Sequence, residues 1–89
     1  MAYIYLIKNN INGKCYVGKT LKSPRERFSE HLYDAYKPTE ENRPLYRAIK
    51  KYGKDNFSLH VLEECTDGLA SEREIWYIKK LKTYAHGYN

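Results

Sequence analysis

The sequence predicts a small α+β domain in which a three-stranded antiparallel sheet is flanked by three helices, in the order β-β-α-α-β-α. Three observations support this class: an Asn-Gly turn between two tyrosine-rich runs, two helical segments that each begin with proline, and an alternating run before a third helical segment. With 89 residues, the chain is predicted to be one domain, residues 1–89, with a modest core.

Residues 3–8 and 14–19 form the predicted hairpin, because both runs are rich in Tyr, Ile and Val. The dipeptide Asn12-Gly13 favours a two-residue type I′ turn, which requires positive φ at both central residues. Such a turn would pair Ile7 with Gly18, and the small glycine would leave open space on its face of the sheet. Any even loop length places four side chains on that face: Tyr5, Ile7, Tyr16 and Gly18.

The first helix is predicted from Ser23 to about Tyr36. Ser23 and Glu26 have the spacing of a capping box, and Pro24 suits the first helical position. At about 100° per residue, the apolar stripe of this helix consists of Phe28, Leu32 and Ala35.

The second helix is predicted over residues 44–52, between Pro44 and Gly53. Residues 56–64 alternate between apolar and polar side chains and predict the third strand. A third helix is predicted from about Leu69 to Leu81, and the polar residues 37–43 predict an exposed loop. The inward face of the second helix would be formed by Leu45, Ala48, Ile49 and Tyr52.

The formal charge of +5 is unevenly distributed along the chain. Residues 1–27 carry six Lys or Arg and one acid, and residues 43–54 carry five and none. This asymmetry favours a polyanionic partner, with nucleic acid first, an acidic membrane surface second and a merely soluble basic protein as the plain alternative.

Cys15 and Cys65 are too few for a disulfide framework, and both are interpreted as small core residues in a reducing compartment. The sequence shows neither a signal peptide nor an apolar run of membrane-spanning length. These features predict a cytoplasmic, intracellular protein without a membrane partner.

Glu74 is placed by a helical-wheel projection among the apolar residues of the third helix. A helix that buried this face would bury the carboxylate too, at a cost of several kcal/mol unless the charge is paired or binds a metal. Two explanations stay open from the residues alone: a structural salt bridge to an arginine of the first or second helix, and metal binding or catalysis. The apolar neighbours on the wheel are Ala70, Tyr77, Ile78 and Leu81.

Arg27 and His31 lie one turn apart on the border of the apolar stripe. They are explained either as a solvated pair or as groups at a cleft, where arginine grips phosphate and histidine transfers a proton near neutral pH. Tyr5 and Tyr16 are explained either as a cross-strand aromatic pair or as site residues beside a basic hairpin.

Five short motifs in order resemble the GIY-YIG endonuclease superfamily, most closely the catalytic domains of phage and intron-encoded homing endonucleases. They are Tyr3-Ile4-Tyr5, Tyr16-Val17-Gly18, the pair Arg27 and His31, Glu74 within Ser71–Ile78, and Gly87-Tyr88-Asn89. The resemblance covers nearly the whole chain and implies the GIY-YIG nuclease fold.

The resemblance implies hydrolysis of phosphodiester bonds in double-stranded DNA at a single divalent ion, Mg²⁺ or Mn²⁺, held by Glu74. Arg27 would stabilise the transition state. Tyr5, with Tyr16 nearby, would position or deprotonate the attacking water, and His31 would assist the proton transfer.

The resemblance also implies that Asn89 supports the site from the C-terminal end. Lys14 would lower the pKa of a neighbouring tyrosine, because a tyrosine needs a nearby cation to act as a base at neutral pH. No organic cofactor is expected, a monomer is favoured, and a phage or bacterial host is expected. DNA contacts are expected from Lys8, Lys14, Lys19, Lys22 and Arg25.

The first motif departs from the family pattern, because Tyr3 occupies the position of its glycine. The departure is expected to alter edge packing or a DNA contact while leaving the chemical groups in place. The chain matches either the catalytic part of a homing enzyme, which continues into a DNA-recognition region, or a small stand-alone nuclease. The alternatives are a nucleic-acid-binding module without turnover and a metal-independent interaction domain.

Overall fold

The computed structural model describes residues 1–38 and 43–89. Its sheet has the strand order β2-β1-β3, so β1 is the central strand. The predicted fold class and order of elements are confirmed, and a one-turn helix, α4, is added after the third predicted helix. The elements are β1 Ala2–Asn9, β2 Cys15–Thr20, α1 Pro24–Asp34, α2 Pro44–Tyr52, β3 Phe57–Cys65, α3 Ala70–Leu81 and α4 Thr83–His86.

The turn between β1 and β2 is longer than predicted. The Asn9 N–H donates to the carbonyl of Lys14 at 2.9 Å, and the Gly13 N–H donates to the carbonyl of Asn9 at 2.8 Å. Gly13 has φ 77°, but among the non-glycine residues that the structure describes only Lys82 has a positive φ. The predicted type I′ turn is therefore wrong, because Asn12 lacks the positive φ that it requires.

The register of the hairpin follows from this longer loop. Tyr5 pairs with Gly18 and Ile7 pairs with Tyr16, whereas the two-residue loop would have paired Ile7 with Gly18. Because both registers keep the same parity, the prediction that these four side chains share one face is confirmed.

The space above Gly18 is filled, which corrects the expectation of an open face. A Cβ atom at Gly18 would overlap Cζ and Oη of Tyr5 and would lie 3.0 Å from the ring of Tyr16. Glycine is needed here because the Tyr5 ring lies directly on the backbone of β2.

Helix α1 begins with Pro24 at its first turn, as predicted, but its capping differs. The Ser23 side chain makes no capping hydrogen bond to a described residue, so the predicted capping box does not form. Instead, the Ser23 carbonyl accepts the first helical hydrogen bond from the Arg27 N–H. The helix ends at Asp34, before the predicted end at Tyr36.

Helix α2 has the predicted bounds, and Gly53 follows it with φ 88°. The predicted inward residues Leu45, Ala48 and Ile49 are buried, and so is Tyr46, which was not predicted. Of the predicted loop 37–43, residues 39–42 lie outside the described residues.

Strand β3 departs from simple alternation because its pairing with β1 shifts between Ile4 and Tyr5. Ile4 pairs with Glu63 and Tyr5 pairs with Val61, so one residue of β3 is extra. Such a bulge changes the face on which the following side chains lie. Val61 precedes the bulge and lies on the same face as Phe57 and Leu59, yet it is 56 % exposed.

The sheet is covered on both faces. The face carrying Tyr5 and Ile7 packs against α1 and α2, while the opposite face, with Ile4 and Val17, packs against Ala70 of α3. Cys65 is buried in this second cluster, but Cys15 is only half-buried, which corrects its assignment to the core.

Glu63 fixes α3 to the sheet. Arg73 donates two hydrogen bonds to its carboxylate, both 2.8 Å, and Tyr77 donates a third at 3.0 Å. Leu81, expected on the inward face of this helix, is 45 % exposed.

The C-terminal residues pack along β2. The Tyr88 N–H donates to the carbonyl of Cys15 at 2.9 Å, and a Cβ atom at Gly87 would overlap that same carbonyl. The Asn89 side chain accepts from the Val17 N–H and donates to the Val17 carbonyl, both at 2.7 Å. This segment satisfies backbone groups that an edge strand would otherwise expose.

Within the described part of the chain, no helix has the length and apolar character that crossing a membrane requires.

Candidate active site

The site is built around a buried hydrogen-bonded chain of three side chains. The Oη of Tyr5 lies 2.8 Å from Nε2 of His31, and the Oη of Tyr46 lies 2.7 Å from Nδ1 of His31. Strand β1, helix α1 and helix α2 each contribute one member. All three side chains are at most 1 % exposed, so the chain is rigidly held within the core.

Tyr16 completes an aromatic group around His31. Its ring centroid is 5.6 Å from that of His31 and 6.4 Å from that of Tyr5. Tyr16 is half-buried, so it forms the boundary between the buried chain and the surface.

Burial sets the protonation state of the histidine. Desolvation, together with the charges of Arg27 and Arg43, lowers the pKa of His31 to about 4. His31 is therefore neutral at physiological pH, which corrects the expectation that it titrates near neutrality. One ring nitrogen carries a proton and the other accepts.

The tyrosines have pKa values that are raised, not lowered. Desolvation is the main cause for both Tyr5 and Tyr16, and Glu74 raises the pKa of each further. The cations that oppose this effect are Arg27 and Arg43, so the predicted influence of Lys14 on the pKa of either tyrosine is not found.

Arg27 lies at the opening of the site and is 29 % exposed. Its Nη1 donates to Glu30 Oε1 at 3.0 Å, and this hydrogen bond fixes one side of the guanidinium. Its charge lowers the pKa of both Tyr5 and Tyr16, so it faces the same space as these hydroxyls. The remaining N–H groups suit an anionic oxygen in that space.

Glu74 reaches the site from α3 and is half-buried rather than fully buried. Desolvation raises its pKa, while the ammonium and backbone of nearby Lys19 lower it. None of the ion pairs formed between residues of 1–38 and 43–89 includes Glu74, so a salt bridge to an arginine, one of the two explanations left open by the sequence, is absent there.

The residues fit a divalent ion with one protein ligand. In the described ranges no cluster of three or more His, Cys, Asp or Glu could enclose a metal. A partly desolvated carboxylate with a raised pKa gains stability from a bound cation. Mg²⁺ suits one carboxylate, since it retains several waters and is commonly completed by substrate phosphates.

The predicted DNA-binding residues occupy different environments. Lys8 and Lys14 are exposed on the hairpin, and Arg25 is exposed at the start of α1. Lys19 donates to Ser71 on α3, and Lys22 pairs with Glu30 at 2.8 Å, beside Arg27. Lys19 and Lys22 therefore flank the site, whereas the other three lie on the surrounding surface.

Among the predicted site residues, Asn89 binds the backbone of β2. Its amide binds the backbone of Val17, between Tyr16 and Gly18, and it is placed to hold β2 rather than to touch a substrate. Tyr3 lies on the central strand, paired with Thr20 and Glu64, so its expected effect on edge packing is wrong.

Two residues near the site were not predicted. Tyr46 completes the buried chain, and the guanidinium of Arg43 lies 4.4 Å from the Tyr46 ring centroid and lowers the pKa of Tyr16, in part by a side-chain hydrogen bond. The available sequence signal was a tyrosine one position beyond the apolar face of α2. That signal does not identify His31 as its partner, because the two residues are separated by the loop between helices.

Known proteins match the chain in sequence and structure. The family described as the GIY-YIG catalytic domain matches residues 1–89. The intron-associated endonuclease 1 of Enterobacteria phage T4 is 38 % identical over 88 residues, which is 97 % of this chain and 35 % of that protein. The chain thus spans about a third of the length of this relative.

Solved structures agree with this match. The catalytic domain of the homing endonuclease I-TevI is 35 % identical, with a TM-score of 0.85 over 100 % of this chain and 97 % of that one. A second structure of that intron endonuclease's catalytic domain, carrying a substitution, is 34 % identical, with a TM-score of 0.86 over 100 % and 93 % of the two chains. The chain belongs to the GIY-YIG catalytic domain family and is an endonuclease domain, for which the family implies a DNA substrate and a divalent metal requirement.

Proposed function

We propose that this domain hydrolyses phosphodiester bonds of double-stranded DNA as a monomer, with one Mg²⁺ or Mn²⁺ ion held by Glu74. The observation that carries the proposal is the shared environment of four groups. The charge of Glu74 raises the pKa values of Tyr5 and Tyr16, and the charge of Arg27 lowers them. An anion-binding arginine and a metal-binding carboxylate thus border the same two hydroxyls.

Each residue has a role that its position supports. A bound divalent ion supplies charge neutralisation at the scissile phosphate. Arg27 binds a non-bridging phosphate oxygen and strengthens this contact as negative charge develops in the transition state. The oxygens of Tyr5 and Tyr16 orient the attacking water, and the hydrogen bond of Tyr5 to His31 provides an outlet for a proton.

The DNA-binding surface includes α2 as well as the hairpin. Arg47, Lys50 and Lys51 lie on the outer side of α2, and no acid of the described chain forms an ion pair with them. This row begins beside Arg43, whose side chain reaches Tyr16. Phosphates that run past the site can therefore continue along α2, in contacts that carry no sequence information.

The test is metal-dependent cleavage of supercoiled plasmid DNA. Glu74→Gln should lower the cleavage rate about 100-fold or more, since loss of metal-mediated charge stabilisation costs several kcal/mol. Glu72→Gln is the matched control, because Glu72 is an exposed carboxylate on the same helix. It should cleave like the parent protein.

Chelation with EDTA should abolish cleavage, and added Mg²⁺ or Mn²⁺ should restore it. Undiminished cleavage in EDTA would refute the metal role. DNA binding without cleavage under any metal condition would instead support the alternative of a binding module without turnover.

A further inference from the structure

Arg43 is placed at the edge of the site by the start of α2. It stands directly before Pro44, and its backbone is extended, with φ −84° and ψ 124°, the conformation that a proline favours in the residue before it. Because the helix begins at the next residue, Arg43 and Tyr46 lie about one turn apart, where two side chains can meet. The Cζ of Arg43 accordingly lies 4.4 Å from the centroid of the Tyr46 ring.

Two contacts fix the guanidinium of Arg43. Its position over the ring of Tyr46, which is 1 % exposed, sets the cation above the buried chain through His31. A side-chain hydrogen bond joins it to Tyr16, at the boundary between that chain and the surface. A guanidinium carries several N–H donors in one plane, and Arg43 is exposed. The group is therefore held in place by the site while it remains within reach of a ligand.

Arg27 approaches the same tyrosine from another element. Arg27 extends from α1 and Arg43 from the start of α2, and both interact with Tyr16. Two cations near one hydroxyl repel each other, and anions beside them relieve this repulsion. Each strand of duplex DNA supplies phosphates in series, so two fixed guanidinium groups suit two successive phosphates.

The row of basic residues on α2 indicates which way the strand continues. Arg47, Lys50 and Lys51 follow Arg43 along the outer side of this helix. We propose that Arg43 is a second phosphate-binding residue, which binds the phosphate next to the scissile one on the strand that leaves the site along α2. This inference rests on the proposed function, in which Arg27 binds the scissile phosphate.

The salt dependence of DNA binding tests whether Arg43 contacts a phosphate. Fluorescence anisotropy with a duplex oligonucleotide in EDTA measures binding without metal-dependent cleavage. Arg43→Gln should reduce the slope of log K against log salt by about 0.9, the value for one phosphate contact. Lys79→Gln is the charge control, because it removes one exposed cation from α3 and should leave the slope unchanged. A parent-like slope in Arg43→Gln would overturn the proposal.

Arg43→Lys separates the charge of this residue from its packing. The lysine keeps a cation at the position but lacks the planar group that lies over Tyr46 and reaches Tyr16. The salt slope of this variant should stay close to that of the parent protein. A slope as low as that of Arg43→Gln would show that displaced tyrosines, not a lost phosphate contact, weaken binding, and the proposal would be wrong.

Methylphosphonate substitution locates the contact, because it replaces one charged phosphate oxygen with a methyl group. The probe is a duplex oligonucleotide whose cut position has been mapped. When the phosphate next to the scissile one is substituted, Arg43→Gln should no longer lower the affinity, whereas Arg47→Gln, one turn further along α2, should lower it as before.

An undiminished effect of Arg43→Gln with either neighbour of the scissile phosphate substituted would refute the assigned position. If the parent protein fails to cleave DNA, the proposed function fails. The salt slopes of Arg43→Gln and Arg43→Lys then still decide whether Arg43 binds a DNA phosphate.

Discussion

At the residue scale, Gly18 and Tyr5 form one structural unit. The Tyr5 ring lies on the backbone of β2 where any side chain at Gly18 would stand, and its hydroxyl reaches His31 from there. Because Gly18 has no Cβ atom, the Tyr5 ring can lie close to the backbone of β2, and this close packing determines the position of its hydroxyl in the site.

Gly18→Ala should therefore displace Tyr5, lower the free energy of unfolding by about 1–3 kcal/mol and slow cleavage. The destabilisation arises because the buried Tyr5 ring must move and its bond to His31 lengthens. Gly68→Ala is the control, since a Cβ atom there would meet nothing within 4 Å. It should change stability by less than about 0.5 kcal/mol in chemical denaturation.

A Gly18→Ala variant as stable and as active as Gly68→Ala would show that the sheet adjusts without cost. The close contact with Tyr5 would then not be the reason for glycine at this position.

At the element scale, the two faces of α2 carry different kinds of residue. Its inner face supplies Tyr46 to the buried chain, while its outer face carries the basic row of Arg47, Lys50 and Lys51. A helix of nine residues can do both because residues on opposite faces do not compete for the same contacts.

The outer face can be tested with two matched lysine pairs. Lys50→Gln with Lys51→Gln should weaken DNA binding and reduce the slope of log K against log salt by about 0.9 for each phosphate that the variant no longer neutralises. The control is Lys79→Gln with Lys80→Gln, which also removes two charges from the last turn of a helix. Fluorescence anisotropy at several salt concentrations measures both.

Equal salt slopes for the two double variants would show that α2 is not a preferred DNA surface. Single-turnover cleavage at saturating enzyme should stay at the parent rate in both, since neither pair lies at the site.

At the scale of the whole molecule, residues 87–89 bind β2, which is far from them in the sequence. The Asn89 amide binds both backbone groups of Val17, and Tyr88 receives a hydrogen bond from Asn9 at 3.1 Å. The hairpin that carries Tyr5 and Tyr16 is thereby held from its outer edge.

Asn89→Ala should lower the free energy of unfolding by about 1–3 kcal/mol, because the Val17 N–H and carbonyl lose their partner. Native-state hydrogen exchange should show faster exchange of the Val17 amide. His86→Ala, at an exposed position in the same C-terminal segment, should change neither quantity. Parent-like protection of the Val17 amide in Asn89→Ala would contradict this assignment.

The sequence by itself determined the fold class and the order of elements, and it predicted candidate residues for the site. Side-chain alternation is independent of loop length as long as the loop is even, so Tyr5 and Tyr16 could be placed on one face without the correct turn. Proline and glycine marked the bounds of α2 because they act through local backbone geometry. The family motifs predicted Arg27, His31 and Glu74 as candidate residues of one site.

Only the tertiary structure decided the environment of these residues. Desolvation depends on what packs around a group, so the low pKa of His31, the raised pKa values of the tyrosines and the half-exposure of Glu74 could not be predicted from local sequence. The bulge in β3 depends on pairing between β1 and β3, which are distant in the chain. Tyr46 meets His31 for the same reason: the contact exists only once α1 and α2 pack on one sheet.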